Sequence, residues 1–353
     1  MTECDQTDAR LAARSEGALS DAEAAALAQH LEHCDDCRLL AEGLGDAATV
    51  APVFPVVDAS AYELGPIVGH GGMGRIRIAK DRRIGRRVAM KELLFNTEAL
   101  AARFVREARV AATLQHPNIV PIYEVGCWAD GTPFYTMRMI EGRTLFKAIQ
   151  DATSLEDRME LLPSVIAAAD AVAFAHANGI IHRDLTPANI LLGDFGETIV
   201  IDWGLAKDLR VDLDRVAPEY QTGMTQQVLT AKGDVVGSPA YMPREQAAGE
   251  EIDARADVYA LGAILYHLLS GRAPYQGRSP KAIIQKVRAE APTPVDKVAL
   301  GAPRGLVAIV RKAMAREAGD RYANAKELAA ELRRFQAALV VGAHRGPLTR
   351  WLG

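Results

Sequence analysis

The sequence predicts an α+β protein of two lobes behind a small helical module. Three observations carry this. Between Tyr62 and Ile140 short β-branched runs alternate with glycine turns. From Gly142 to about Ala338 the apolar residues recur at helical spacing. The first 45 residues are Ala-rich and acidic and hold three of the four cysteines. Alternation with period two reads as strand and period 3.6 as amphipathic helix, so a small sheet should precede a larger helical body, with a ligand cleft between them. A chain of 353 residues, 49% hydrophobic and 24% charged, is long enough for two or three such units and has the composition of a folded protein.

The elements follow in order. Within the module, residues 1–45, Ser20-Asp-Ala-Glu23 is a capping box that starts a helix running toward His33. Residues 46–61 form a linker, extended around Pro52 and Pro55. In the first lobe, 62–140, strands are predicted at Leu64–Val68, Arg75–Ala79, Arg87–Lys91, Val120–Val125 and Phe134–Met139, with one helix at Ala99–Leu114. The second lobe, 141–338, carries helices at Leu161–Asn178, Ala256–Leu269, Pro280–Ala289, Arg304–Arg316 and Ala325–Ala338. Residues 339–353 are a C-terminal tail.

Composition excludes several classes. With 41 Lys and Arg against 45 Asp and Glu, no basic field draws nucleic acid or an anionic membrane. Four cysteines are too few for a disulfide scaffold. The acidic start is no signal peptide, and runs such as Val165–Ala175 end well short of the roughly 18 residues of a membrane span. The expectation is a cytoplasmic protein.

The chemistry concentrates in a few stretches. Gly69-His-Gly-Gly-Met-Gly74 fits G-x-G-x-x-G, and Arg75-Ile-Arg-Ile-Ala79 behind it alternates as a strand instead of opening a helix. A glycine turn between antiparallel strands makes a flap whose N–H groups can close over phosphates. Val88-Ala-Met-Lys91 follows on the next strand, and Phe104-Val-Arg-Glu107 puts a glutamate on the helix; a Lys–Glu pair beside such a flap suits nucleotide phosphates. Further on, Asp184 of His182-Arg-Asp184 can accept a proton from a hydroxyl. Asn189 and the Asp202 of Asp202-Trp-Gly204 offer hard oxygen ligands suited to Mg²⁺.

With His116-Pro-Asn-Ile-Val120, Gly237-Ser-Pro-Ala-Tyr-Met242 and Asp257-Val-Tyr-Ala-Leu-Gly262 added, residues 62–337 resemble the protein kinase domain of bacterial, eukaryotic-like Ser/Thr kinases. The resemblance implies the bilobal kinase fold and transfer of the ATP γ-phosphate to Ser/Thr hydroxyls of protein substrates, with Mg²⁺ or Mn²⁺. It implies that Val68, Gly69, His70, Gly71, Gly72, Met73 and Gly74 cover ATP and that Ile76 and Ala89 roof the base. Met137 becomes the gatekeeper, and Arg138 and Ile140 offer backbone groups to adenine. Lys91 takes the α/β-phosphates with Glu107 as its partner, Asp184 orients the acceptor hydroxyl, and Asn189 and Asp202 hold the metal. Arg321 should pair with Glu245, and Asp257 should tie its helix to the catalytic loop. Thr222, Thr225 and above all Thr230 become candidates for autophosphorylation in trans by a second copy, with Arg183 as the phosphate's cation.

Three positions depart from the pattern. Thr186 replaces the usual lysine, Trp203 the usual Phe, and Pro243-Arg-Glu245 the usual Ala-Pro-Glu. A nucleotide-binding pseudokinase scaffold is therefore the competing reading.

In the module, His30-Leu-Glu-His-Cys-Asp-Asp-Cys37 gives H-x₃-C-x₂-C, and Cys4 can complete a Cys₃His set for structural Zn²⁺, with His33 as an alternative ligand. A Cys34–Cys37 redox pair, or a helix with stray cysteines, competes with zinc. The pattern is similar to the zinc-binding anti-sigma-factor domain, which implies a regulatory protein docking on residues 1–45. Cys127 reads as a structural cysteine.

Overall fold

The computed structural model describes residues 20–34, 54–71, 74–94, 98–208 and 238–343. The chain divides into two compact units, one of residues 1–105 and 124–136, the other of residues 106–123 and 137–353.

In the first unit, helix α1 (Asp21–His33) starts where the capping box put it: the Glu23 carboxylate accepts from the Ser20 N–H at 3.0 Å. The sheet comprises β1 (Tyr62–Gly71), β2 (Gly74–Asp81), β3 (Arg86–Leu93), β4 (Ile122–Cys127) and β5 (Pro133–Arg138), in the order β1-β2-β3-β5-β4. One register shift in the β1–β2 ladder, between Leu64 and Ile67, spans Pro66, which has no N–H to give, and a second follows between Ile67 and Gly69. Helix α2 (Glu98–Thr113) follows β3. Tyr62, Val88, Met90 and Phe134 are the core, with Trp128 stacked on Phe134 at 4.2 Å between centroids.

Pro52 of the expected extended stretch lies outside the described residues, and Ala59–Ala61 just before β1 form a 3₁₀ turn; residues 55–57 do not hang free. Val57 N–H donates to Cys127 O at 2.9 Å, and Cys127 N–H to Pro55 O at 3.1 Å. The physical reason is that β4 is an edge strand, whose outer backbone groups want partners. Cys127 itself is buried, its thiol 3.2 Å from Phe54 O, which agrees with a structural role.

The second unit is built on helix α7. The chain reaches it through β6 (Gly142–Thr144), α3 (Leu145–Asp151), α4 (Leu155–Met159), α5 (Leu162–Ala177), β7 (Ile180–Ile181), β8 (Ile190–Gly193), β9 (Thr198–Val200), β10 (Lys207–Asp208) and α6 (Arg244–Ala248). Then comes α7 (Ala254–Ser270), N-capped by Asp253 and ended by Gly271 in the left-handed region, with every residue from Ala256 to Leu269 buried. Helices α8 (Pro280–Ala289), α9 (Val295–Val298), α10 (Arg304–Ala313) and α11 (Ala325–Ala343) complete it. On α10, Leu306, Val307, Ile309, Val310 and Ala313 face the core while Arg304, Arg311 and Lys312 face water. Helix α11 runs five residues past the expected boundary at 338.

Among the described residues one stretch, Leu155–Ala177, is long and apolar enough to cross a membrane. Its main part, α5, has Val165, Ala168, Ala169, Ala171 and Val172 fully buried in the protein core, which accounts for its composition.

Candidate active site

In the first unit Lys91 sits on β3, buried, with Nζ 5.8 Å from the Tyr135 ring centroid. Ile76 is its register partner on β2, and Ala89 lies two residues earlier on the same face of β3. Gly74 is forced by close approach: a Cβ there would meet Glu92 O at 2.3 Å. Val68 and Gly69 lie on β1, as do His70 and Gly71; Gly72 and Met73 lie outside the described residues. The opposite face of β3 carries Glu92, 2% exposed, bonded by Arg75 Nε at 2.8 Å and Trp128 Nε1 at 2.9 Å, with Arg77 Nε at 3.2 Å. This buried carboxylate pins β2 beside the glycine turn.

In the second unit one buried carboxylate organises the loop that carries Asp184. Asp257 accepts N–H bonds from His182 at 2.7 Å and Arg183 at 2.9 Å, and His176 Nε2 lies 2.9 Å away. Burial alone would raise its pKa; the His176 bond and the neighbouring imidazoles hold it below the ordinary value. The anchor lets Arg183 adopt φ 71°, a left-handed conformation that a non-glycine residue keeps only when its surroundings enforce it. Asp184 follows directly. Its Oδ1 accepts the Ser238 N–H at 2.8 Å, and burial, with Asp202 adding to it, pushes its pKa up against the opposing pull of His182 and Ser238.

Asn189 donates its Nδ2 to Asp184 O at 2.9 Å, which fixes the amide. Asp202, exposed and at φ 63°, is the second strained residue. Gly204 brings it close to Glu107: a Cβ on Gly204 would lie 3.2 Å from Asp202 Oδ1 and 3.2 Å from the buried Glu107 Oε2. Asp184, Asn189, Asp202 and Glu107 thus belong to one neighbourhood of this unit.

The departures acquire reasons. Trp203 is 1% exposed, its ring 4.6 Å from His182, so it keeps the packing role expected of an apolar plug. Thr186 is buried, and its hydroxyl accepts the Ala188 N–H at 3.2 Å, starting the 3₁₀ turn Pro187–Asn189 that carries Asn189. Thr186→Val should cost about 1 kcal/mol by leaving that N–H without its partner, read by chemical denaturation. Glu245 pairs with Arg321 through two bonds, 2.6 and 3.0 Å. Arg138, the last residue of β5, spends its N–H on Pro121 O at 3.2 Å, so what it has to offer a base is its carbonyl; Met137 precedes it on the strand and Ile140 follows two residues on.

Motif reading missed three contacts of this neighbourhood: Ser238 N–H on Asp184, Gln246 Nε2 on Arg183 O at 2.7 Å, and the Tyr241 hydroxyl 2.7 Å from His267 Nδ1. None has a signature in spacing, because each joins segments far apart in sequence.

The protein kinase domain family matches residues 62–331. The chain belongs to the protein kinase family. Among its relatives, the serine/threonine-protein kinase PknB of Mycobacterium leprae is 37% identical over 78% of this chain and 43% of its own length. PknD of Chlamydia trachomatis is 34% identical over 76% of this chain and 30% of its own. This chain therefore spans less than half the length of these curated relatives. A zinc-finger family matches residues 4–38. Of its expected ligands, His30 and Cys34 lie one turn apart, with Cys34 N–H donating to His30 O at 3.0 Å. Cys4 and Cys37 lie outside the described residues, as do Thr222, Thr225 and Thr230. Among the described residues no three potential ligands gather.

Proposed function

We propose that the protein transfers the γ-phosphate of ATP to Ser or Thr hydroxyls of other proteins, and to its own activation segment in trans. The observation that carries this is the set Asp184, Asn189 and Asp202 held by the Asp257 anchor and two left-handed residues. Strain of this kind persists where a site must be pre-organised. Asp184 receives the acceptor hydroxyl's proton. Asn189 and Asp202 supply oxygens for Mg²⁺ or Mn²⁺, which neutralises phosphate charge when bound. Lys91 takes the α/β-phosphates with Glu107 as its countercharge, and residues 68–74 cover them. Thr186 contributes shape where a lysine would contribute charge, so transition-state stabilisation rests on the metal and Lys91.

The test is incubation of the chain with radiolabelled ATP, Mg²⁺ and a protein acceptor, alongside Asp202→Ala. Wild type should label the acceptor and itself, and the variant should not. Equal labelling by both would remove Asp202 from the metal site.

For residues 1–45 we propose a Zn²⁺-bound docking module in a cytoplasmic protein, using Cys34, Cys37, His30 and Cys4. The family match and the His30–Cys34 turn support it. Cys34→Ser in the full chain should lose one zinc per chain by elemental analysis, while the kinase unit's own thermal transition is retained. Undiminished zinc in the variant would exclude Cys34 as a ligand.

A further inference from the structure

Glu92 follows Lys91 on β3, and consecutive strand residues face opposite sides of a sheet, so the strand turns the lysine to one face and the carboxylate to the other. On β2 its register partner is Arg75, flanked by Ile76 opposite Lys91 and by Gly74 opposite Leu93. The Glu92 carbonyl is also the atom that leaves no room for a Cβ at Gly74. The root of the glycine turn and Lys91 therefore meet at one residue, whose side chain points the other way.

That side chain is costly where it lies. At 2% exposure a carboxylate is unfavourable unless paired, and an apolar residue would pack on a covered sheet face without the cost. Glu92 is paired three times. Arg75 Nε and Arg77 Nε lie 2.8 and 3.2 Å from Oε2, and Trp128 Nε1 donates to Oε1 at 2.9 Å. Trp128 is fixed in its turn. Its N–H donates to Thr132 O at 2.9 Å, and its ring stacks on Phe134 and meets Tyr62 edge-on at 6.3 Å between centroids. One satisfied network thus joins the end of β4 to the first residue after the glycine turn.

We propose that Glu92 is a positioning residue for the nucleotide's phosphates: its carboxylate fixes Arg75 to the sheet and so holds the root of the Gly69–Gly74 turn in register with Lys91. The proposal rests on the kinase reading and deepens it to how the ATP site is held.

The experiment compares full-length wild type with Glu92→Gln and Trp128→Phe. It reads kcat, KM for ATP, KM for a protein acceptor, the thermal midpoint and amide hydrogen exchange. Glutamine keeps the shape and an acceptor for Trp128 but loses the charge that two guanidinium groups share. Phenylalanine keeps a ring on Phe134 and removes one donor. Glu92→Gln should raise KM for ATP about tenfold and Trp128→Phe about threefold, with kcat and the acceptor KM within about twofold. Exchange should quicken in both at residues 68–76 and stay unchanged in β5. An unchanged KM for ATP in Glu92→Gln would overturn the proposal. So would both KM values rising in step, or exchange quickening equally in β5, since either marks a general loss of fold. A KM for ATP that falls would overturn it too, because Arg75 would then be a phosphate ligand that Glu92 holds back. If the glutamine variant does not fold, Trp128→Phe decides by the same readings. A wild type that neither binds ATP nor transfers phosphate would instead sink the kinase reading beneath it.

Discussion

Asp184→Asn is expected to lower kcat for phosphate transfer by about 10²- to 10⁴-fold, the range for losing a positioned general base. The substitution is close to isosteric. The asparagine oxygen can still accept the Ser238 N–H that now reaches Asp184 Oδ1 at 2.8 Å, and Asn189 bonds the backbone carbonyl of residue 184, which the change leaves alone. The variant should therefore keep the wild-type thermal midpoint and KM for ATP and lose only the carboxylate that receives the proton. Steady-state kinetics with a protein acceptor make the check. A kcat within threefold of wild type would mean that transfer proceeds without a base here and that Asp184 serves geometry alone.

What the sequence made legible is what local pattern encodes. The Ser20–Glu23 capping box, the strands either side of Gly69–Gly74 and the pairing of Glu245 with Arg321 could all be anticipated, the last only through the family resemblance. The helix at Pro280–Ala289 has the bounds its serine cap and N1 proline dictate. The pinning of residues 55–57 onto β4 was not legible, because an edge strand accepts any extended backbone and leaves no side-chain signature. Nor was Glu92, which reads as an outward residue of an alternating strand until Arg75 and Trp128 are seen to close over it. His267 is one polar residue in a buried helix, and only the fold supplies Tyr241 as its partner. Thr186 looked like a loss of charge, whereas its hydroxyl shapes the turn that carries Asn189.

Arg321→Ala is expected to be the most destabilising single change outside the catalytic set. The guanidinium is fully buried and satisfies five acceptors: both Glu245 oxygens and the carbonyls of Arg255, Ala315 and Arg316, at 2.6 to 3.1 Å. Its flat face lies 5.0 Å from the Tyr259 ring centroid. Removing one partner of such a pair leaves Glu245 as an uncompensated carboxylate at 15% side-chain exposure and costs about 3–5 kcal/mol. At about 2–4 °C per kcal/mol, the unit's thermal midpoint should fall by roughly 10 °C, measured by calorimetry. Arg321→Lys should recover part of this, since an ammonium keeps the charge but cannot serve the forked geometry. Adding Glu245→Ala to Arg321→Ala should cost little more, because the orphaned charge goes with it and the two sites couple strongly. Additive losses across that cycle would show that the three carbonyl bonds, and not the ion pair, are what Arg321 contributes. In that case the segment from Glu245 onward owes its place to Gln246 on Arg183 O and Tyr241 on His267, the two contacts that hold it from the catalytic-loop side.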